Sequence, residues 1–297
     1  MEFLQAIVLG LTTGGVYALI ALAFSIIYMT TRVINFAQGE VLMIGAYLYF
    51  FAVSSGGNAL GLPWPLALVI ALFGATIVGL VVHLISIAPL GKFDPNTNIG
   101  WILTTLSVSL IFVEVVRNLA GEQAKRVEPV ISSIGGKSTV FSIEPKQYLV
   151  LVVGLALAVV LEVVHSKTQL GRALRATAHD KATASLMGIN TGFMVRYSFA
   201  LAGLLAGVGG WLLGPIIFVS ADMGTLVGLT AFVAAVVGGI GSTRGALVGG
   251  LTIGVVESLA KQAGAGEWTS ALVFLTLIVI LVVKPTGILG EALIEKV

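Results

Sequence analysis

The sequence contains no cysteine and few charged residues. Of its 297 residues, 10% are Asp, Glu, Lys or Arg and 57% are hydrophobic. The absence of cysteine excludes disulfides and thiolate metal sites. A soluble domain carries about 25% charged residues, so this chain cannot cover a surface that faces water. Together with a mean hydropathy of +1.06, this composition predicts an all-α, polytopic membrane protein.

Other shortages bear on function. A net charge of +2 gives no indication of a nucleic-acid partner. His83 and His179 lie far apart without ligand spacing around them, which argues against a metal site. An ion-coupled secondary transporter needs ionisable residues within its spans, and the apolar runs offer few apart from Glu40 and Glu257. An intramembrane enzyme would need a Ser/His or His/Asp/Glu constellation, and the sequence shows none.

Long apolar runs organise the chain. A membrane-spanning helix needs about 20 apolar residues. Nine apolar segments are found: 3–29, 41–55, 62–88, 99–116, 147–164, 193–214, 225–242, 246–262 and 269–283. The second is short, so we expect a single transmembrane domain over residues 1–297, with eight or nine membrane segments and one discontinuous helix.

Glycine is abundant, with 37 residues. Small residues allow helix backbones to approach closely within a bilayer. We therefore expect the Gly-x-x-x-Gly pairs to pack helices inside one bundle. These pairs are Gly10/Gly14, Gly203/Gly207, Gly210/Gly214 and Gly250/Gly254.

The distribution of Lys and Arg predicts the orientation, because these residues concentrate in cytoplasmic loops. Placing residues 166–192 in the cytoplasm puts ten of the sixteen basic residues inside and six outside. The N-terminus is then outside, the C-terminus is inside and residues 121–146 are extracytoplasmic.

The extracytoplasmic segment 121–146 contains a sequence that is similar to a phosphate-binding loop. Gly135-Gly136-Lys137-Ser138 matches the last residues of that motif. The motif also requires a glycine five positions before Gly136, where this chain has Ile131. We therefore predict no nucleotide site on this chain. The flanking alternation favours a small hairpin across Gly135-Gly136.

The longest polar stretch between two apolar blocks is the cytoplasmic segment 166–192. Thr168 and Asp180 are good N-cap residues, and Gly188 is a natural helix stop. The pattern predicts two short helices, the second over 181–187. From the residues alone, such a helix fits either a lipid surface or a groove in a soluble partner.

Residues 35–40 precede the short second apolar segment. Transporters place substrate sites at helices that are interrupted within the bilayer, and an ionisable residue such as Glu40 is a functional candidate there. The other interpretation is an ordinary cytoplasmic turn with a helix cap. Glu257 and Lys261 lie four residues apart, and for them a structural ion pair is favoured over a proton relay.

Two separated motifs resemble one family. The first runs from Gly171 to Ala176 and continues with Asp180, Ala184 and Gly188-Ile189-Asn190. The second is Val33-Ile34-Asn35-Phe36-Ala37-Gln38-Gly39-Glu40, in which Gln38 replaces the commoner histidine. Both are similar to the permeases of ATP-binding-cassette importers for branched-chain amino acids, and further matching residues extend the resemblance over essentially the whole chain.

The resemblance implies a non-enzymatic subunit of the bacterial inner membrane. Its expected partners are a second, similar permease in a heterodimer, two cytoplasmic ATPases that carry ATP-Mg, a periplasmic substrate-binding protein and membrane lipid. No cofactor is expected on this chain. The substrates are branched-chain amino acids, with urea, amides and small aromatic acids as alternatives within the same type.

The resemblance also assigns site residues. The expected ATPase-coupling residues are Arg172, Arg175, Asp180, Ala184, Leu186, Met187 and Gly188. The expected substrate-pathway residues follow instead from the interrupted second segment and are Asn35, Phe36, Gln38, Gly39 and Glu40.

Overall fold

A computed structural model describes residues 2–56, 59–91, 99–127 and 145–290 of the chain. In these ranges the helices are α1 (Glu2–Thr31), α2 (Gln38–Val53), α3 (Trp64–Val82), α4 (Gly100–Ala120), α5 (Pro145–Lys167), α6 (Gln169–His179), α7 (Lys181–Leu186), α8 (Thr191–Ile217), α9 (Met223–Gly238), α10 (Thr243–Gln262) and α11 (Thr269–Val283). A π-helical turn (His83–Ile87) and a 3-10 turn (Ala88–Leu90) extend α3, and a 3-10 turn (Gly266–Trp268) precedes α11. Two short antiparallel strands, β1 (Ser55–Gly56) and β2 (Ala59–Leu60), follow α2.

All nine apolar segments of the sequence are helical, but they differ in length. Within the described residues, six helices are long and apolar enough to cross a membrane, namely α1, α3 with the two turns that extend it, α4, α5, α8, and α11 with the 3-10 turn that precedes it. Two others, α2 and α9, are apolar but only 16 residues long. The eight or nine membrane segments predicted from the sequence are therefore slightly too many. The sequence also predicted one short membrane helix, whereas the structure has two, α2 and α9.

Helix α1 forms the centre of the bundle. Its second half is almost completely buried, with Leu19, Ile20 and Ile27 inaccessible to solvent. It crosses α10 at glycines: a Cβ at Gly10 would lie 2.7 Å from Cα of Val255, and a Cβ at Gly14 would lie 2.9 Å from the carbonyl oxygen of Gly250. The Gly-x-x-x-Gly pairs of α1 and α10 thus face each other within the chain, as predicted.

Helix α8 packs through its own glycines on two neighbours. A Cβ at Gly203 would lie 3.0 Å from Cα of Thr76 in α3, and a Cβ at Gly210 would lie 2.7 Å from the backbone nitrogen of Ala46 in α2. In contrast, α3, α4, α5 and α11 expose large apolar side chains, including Phe73, Leu110 and Val282. Inward faces are therefore small and closely packed, whereas outward faces suit a lipid or protein environment.

Contacts between helix termini define two ends of the bundle. At the end that carries α6 and α7, the carboxylate of Glu162 in α5 accepts hydrogen bonds from Thr243 and Arg244 of α10. At the opposite end, Ser258 of α10 donates to the carbonyl of Ala6 in α1 over 2.6 Å. We call these the loop end and the distal end.

Candidate functional site

The coupling segment, residues 166–192, is a pair of capped helices. The hydroxyl of Thr168 accepts a hydrogen bond from the backbone of Gly171 at 3.1 Å, which caps α6. The carboxylate of Asp180 accepts from the backbone of Ala182 at 2.8 Å and from the hydroxyl of Thr183 at 2.5 Å, which caps α7. Both predicted caps are present, and the predicted second helix is observed as Lys181–Leu186.

The helix cap also affects the charge state of Asp180. The hydrogen bond from Thr183, followed by those from the backbone, stabilises the carboxylate and lowers the pKa of Asp180 below its usual value. Since the folded pKa is depressed, the cap is fully present above the ordinary pKa of an aspartate and weakens as the pH falls through the folded value. Helix α7 therefore keeps its charged cap at neutral pH.

Gly188 ends α7 in the left-handed conformation. Its φ is +83°, a region that residues with a Cβ rarely adopt. Its backbone nitrogen bonds to the carbonyl of Ser185 at 3.0 Å, and that of Ile189 bonds to Ala184 at 3.1 Å. This turn closes the helix within two residues of its last turn.

The side chains of the coupling segment divide into anchors and an exposed tip. Arg175 donates to the carbonyls of His165 and Ser166, which ties α6 to the end of α5. Ala184 is buried, whereas Leu186 and Met187 are 89% and 78% exposed. The segment therefore presents two exposed apolar side chains on α7, while α6 and the buried Ala184 hold it to the bundle.

Two further residues secure this segment. Arg32, immediately after α1, donates to the carbonyl of Ala178 in α6 at 2.9 Å. Asn190 accepts from the backbone of Phe193 at 2.9 Å and caps α8. Sequence reasoning did not assign Arg32 to this segment, because a long-range contact with a carbonyl leaves no local signal. A displacement of the tip is thus linked to both α1 and α8.

A second feature, which we call the junction, lies deep in the bundle. It is formed by the first turns of α2 and α9, which overlap in antiparallel fashion at Gly39, Gly224 and Gly228. A Cβ at Gly39 would lie 2.9 Å from Cα of Gly228 and closer still to the carbonyl oxygen of Gly224. Because the backbones themselves are in contact, only glycine fits at this crossing.

The polar residues that precede and begin α2 are all buried at the junction. Asn35, Gln38 and Glu40 are each 1% exposed. The amide of Gln38 donates to the carbonyl of Ala202 at 3.0 Å, eleven residues after the start of α8, and Asn35 donates to Gln38 at 3.3 Å. The Asn35 oxygen accepts from the backbone of Ala37 at 3.2 Å. The stretch therefore lies inside the helix bundle and not in an exposed turn.

The carboxyl group of Glu40 is only partly hydrogen-bonded. Its Oε1 accepts a hydrogen bond from Thr225 of α9 at 2.9 Å, while Oε2 is buried without a hydrogen-bond partner in the described part of the chain. The N-termini of α2 and α9 meet beside it, and the Ser109 hydroxyl lies near the same side chain. Glu40 is thus a buried acidic side chain whose Oε2 makes no hydrogen bond of normal geometry.

An aromatic cluster adjoins the junction. The ring of Phe36 stacks on Trp101 of α4 at 6.5 Å between centroids with an interplanar angle of 5°, and it contacts Phe232 of α9 at 6.0 Å. Phe232 also meets Phe24 of α1 edge-on. These rings connect the junction to α1, α4 and α9, so that a movement at any of them changes the packing of Phe36.

The two short helices belong to an inverted arrangement. Arg32, the residue after α1, has φ of +59°, and α2 then runs back. Phe218, the residue after α8, has φ of +63°, and α9 then runs back. Helices α1 and α8 are antiparallel, as shown by the Thr30–Ser198 hydrogen bond of 2.8 Å at the loop end. The pairs α1–α2 and α8–α9 thus have opposite directions, as in transporters built from inverted repeats.

Sequence reasoning missed the α9 half of the junction. Residues 225–242 were expected as an ordinary span, whereas α9 begins at Met223 beside Gly39. The sequence does contain a signal for it. Ala37-Gln38-Gly39-Glu40 and Asp222-Met223-Gly224-Thr225 each have a glycine followed by a polar residue. In the structure Gly39 contacts Gly224, and Glu40 accepts a hydrogen bond from Thr225.

Three other predictions concern charged or polar segments. Glu257 and Lys261 form the expected ion pair at 2.6 Å. Within the described residues, no group of three or more His, Asp or Glu could hold a metal ion. The proposed hairpin and the sequence similar to a phosphate-binding loop lie outside the described residues.

Comparison with known proteins identifies the family. Residues 6–281 match the model for "Branched-chain amino acid transport system / permease component". The chain is 33% identical to the high-affinity branched-chain amino acid transport system permease protein BraD of Pseudomonas aeruginosa, over 100% of this chain and 98% of that protein. It is 34% identical, with the same coverage, to the corresponding permease protein LivH of Salmonella typhimurium.

Among solved structures, PsaBC from Streptococcus pneumoniae in complex with Fab aligns with 96% of this chain and 91% of that chain, at 15% identity and a TM-score of 0.49. The family assignment rests on the sequence relatives, which are matched from end to end and carry the same description as the family model. The chain belongs to the family of permease components of branched-chain amino acid transport systems.

Proposed function

We propose that this chain is the membrane-spanning subunit of an ATP-binding-cassette importer that carries branched-chain or related amino acids into the cell. The observation that carries the proposal is the match to permeases of this description along their whole length. The chain supplies the path and no chemistry of its own, while ATP-Mg is bound and hydrolysed by separate ATPase subunits.

Uptake in a reconstituted system tests the substrate. Vesicles that contain the chain with its partner permease, ATPases and binding protein are expected to accumulate labelled L-leucine when ATP is supplied. Urea and benzoate, offered at the same concentration, are expected to remain at background. Accumulation of urea or benzoate without leucine would assign the chain to another substrate class within the same transporter type.

The coupling segment is the proposed contact with an ATPase. Support comes from the exposure of Leu186 and Met187 at the tip of a capped helix, because exposed apolar side chains on a helix are typical of docking into a groove. Arg32, Arg175 and Asn190 hold the segment to α1, α5 and α8. Closure of the ATPases would therefore be passed to the helices that flank the junction.

The orientation follows from the same proposal. The loop end faces the cytoplasm, so that the N-terminus is outside, the C-terminus is inside, and the distal end meets the periplasmic binding protein. Since the sequence lacks cysteine, single cysteines at Leu186 and Leu60 report the orientation directly. A membrane-impermeant maleimide added to intact cells is expected to label the Leu60 position only; labelling of the Leu186 position instead would reverse the assignment.

The substrate is proposed to pass beside the junction and to meet Glu40. Oε2 of Glu40 has no hydrogen bond of normal geometry among the described residues, with the Ser109 hydroxyl near the same carboxyl group, whereas Asn35 and Gln38 already bond to the chain. An ammonium group of an amino acid would complete the coordination of Glu40. Asn35 and Gln38 then act as positioning residues that fix the turn before α2.

Replacing Glu40 with glutamine is expected to reduce leucine uptake by about tenfold or more, because hydrogen bonds to charged groups contribute about 1.5–3 kcal/mol. The size of the side chain is kept, so the amount of complex in the membrane should stay unchanged. Uptake is measured together with co-purification of the ATPase.

The matched control is Glu114→Gln, which removes a carboxylate that is exposed at the surface of α4 and paired with Arg117 at 3.4 Å. This variant is expected to transport normally. Normal uptake by Glu40→Gln would instead identify residues 35–40 as a purely structural turn and cap.

A further inference from the structure

Helix α4 covers one side of the junction. Glu40 is only 1% exposed, and both α9 and α4 lie beside it. On the α9 side, the backbone of Gly39 lies against that of Gly224, so the two helices are joined by their main chains. On the α4 side, the Ser109 hydroxyl lies near the Glu40 carboxyl group. A molecule that reaches Glu40 has to displace a neighbouring helix, and α4 is the one that meets it through a side chain.

One end of α4 is fixed to the bundle near the loop end. Thr104 donates a hydrogen bond to the carbonyl of Ser86, in the π-helical turn that extends α3, at 2.9 Å. The ring of Trp101 stacks on Phe36, which precedes α2. The outward face of the helix exposes Leu110 and other large apolar side chains. Helix α4 is therefore a peripheral element that is anchored by side chains of its first two turns.

The opposite end of α4 is held by four residues that we call the clasp: Arg117, Lys125, Val219 and Asp222. The guanidinium of Arg117 contacts the carboxylate of Asp222, the residue before α9, at 3.1 Å. After α4, the backbone of Lys125 pairs with that of Val219 through two hydrogen bonds, of 2.7 and 2.9 Å. Both contacts join the α4 side to the turn between α8 and α9. The clasp thus connects α4 to the second pair of the inverted arrangement.

The clasp lies between Glu40 and the distal end. Tyr47 follows Glu40 in α2 at a distance of about 10 Å along the helix, and its buried side chain lies near Asp222. Likewise, Arg117 follows Ser109 in α4 at a distance of about 12 Å along the helix. Both helices run toward the distal end, so a substrate that is delivered there meets the clasp before it reaches Glu40.

The contacts of the clasp suit a closure that opens in each transport cycle. The side chains of Arg117 and Asp222 are 37% and 71% exposed, and an exposed ion pair favours the closed state by a factor of only about five or less. The bridge between Lys125 and Val219 is an isolated residue pair and not part of a sheet. These contacts are easier to break than the packing of backbone on backbone at Gly39.

We propose that α4 is the movable wall of the substrate path. It stays fixed at Trp101 and Thr104, and its distal part separates from the turn between α8 and α9 when the clasp opens to admit substrate to Glu40. The proposal rests on the substrate path proposed above. It gives Arg117 and Asp222 a role in the admission of substrate and not in its binding.

A disulfide across the clasp tests the proposal. Because the sequence lacks cysteine, Lys125→Cys/Val219→Cys provides the only cysteine pair of the chain. Residues that exchange two backbone hydrogen bonds in an antiparallel pair have Cα atoms about 5.5 Å apart, within the range that a disulfide spans. Oxidation of the complete transporter in proteoliposomes is expected to lower leucine uptake by about tenfold or more, and a reductant is expected to restore it. The matched control is Ser55→Cys/Leu60→Cys, an opposed pair in the hairpin of β1 and β2, which should transport equally in both states.

Mass spectrometry measures the fraction of chains that carry the disulfide. Normal uptake by the fully oxidised clasp variant would overturn the proposal, and so would a cysteine pair that does not oxidise. The wild type is measured in parallel. Leucine uptake by the wild type supports the proposed function whatever the clasp variant does. If the wild type takes up no leucine, the proposed function fails, and the clasp is then tested by labelling alone.

Labelling of a single cysteine measures opening without transport. A membrane-impermeant maleimide added to intact cells is expected to modify Ser109→Cys about two- to fivefold faster when Arg117→Ala is also present, since an exposed ion pair has been removed. Asp222→Asn should have the same effect, and the two changes together should add nothing, because either one already breaks the pair. Glu114→Gln, which removes the partner of Arg117 within α4, should leave the rate unchanged. Equal rates in all four backgrounds would overturn the proposal.

Discussion

Replacing Leu186 with aspartate is expected to abolish ATP-driven uptake while the chain stays inserted and folded. Leu186 is 89% exposed at the tip of α7, so the folded chain loses almost no packing. A buried apolar contact at the centre of an interface is worth about 2 kcal/mol or more, and burying an unpaired carboxylate there adds a further cost. Affinity for the ATPase should therefore fall by about thirtyfold or more.

The measurement is co-purification of the ATPase with tagged permease, followed by uptake in proteoliposomes. Leu60→Asp is the matched control, because Leu60 is also exposed, at 65%, and lies in the short hairpin that follows α2. This control should retain the ATPase. Retention of the ATPase by Leu186→Asp, with normal uptake, would exclude the coupling segment as the docking site.

A second large effect is expected for Gly39→Val. The Cβ of any residue at this position would meet the backbone of Gly224 and Gly228 at less than a normal contact distance. Backbone atoms cannot move aside as a flexible side chain can, so the junction must separate. We expect uptake at background and a loss in the stability of the folded chain of about 1–3 kcal/mol or more, as for overpacking elsewhere.

The melting temperature of the purified complex and its uptake are measured together. Gly266→Val is the matched control, since a Cβ at Gly266 meets no atom within 4 Å, and this variant should behave as the wild type. Gly39→Ala should give a milder version of the Gly39→Val defect. A Gly39→Val transporter with normal uptake and melting temperature would show that α2 and α9 do not pack against each other in the membrane.

Local chemistry made much of the fold predictable. Continuous apolar runs identified the helices, because a bilayer leaves the backbone few other ways to satisfy its polar groups. The caps at Thr168 and Asp180 depend only on residues within three positions, so they too could be read from the sequence. The division of the coupling segment into anchors and an exposed tip could not be predicted from the sequence, since Arg175 contacts carbonyls nine and ten residues earlier.

The junction shows where sequence reasoning stops. An apolar run reveals that a helix exists but not the depth at which it begins, and the short length of α9 was hidden by the apolar residues around it. The partners of Gly39 and Glu40 are separated from them by about 185 residues in the chain. Hydropathy carries no information about such pairings, so the residues of α2 were identified as candidates while those of α9 were not.

The junction also constrains how the protein is made. While the ribosome has synthesised only the first half of the chain, Gln38 lacks the carbonyl of Ala202 and Glu40 lacks the hydroxyl of Thr225. The turn after α1 would then leave the amide nitrogen of Gln38 and the carboxyl group of Glu40 without these partners. We therefore expect helix α2 to reach its final position only after α8 and α9 have emerged, and a chain that ends before α8 not to fold as an independent half.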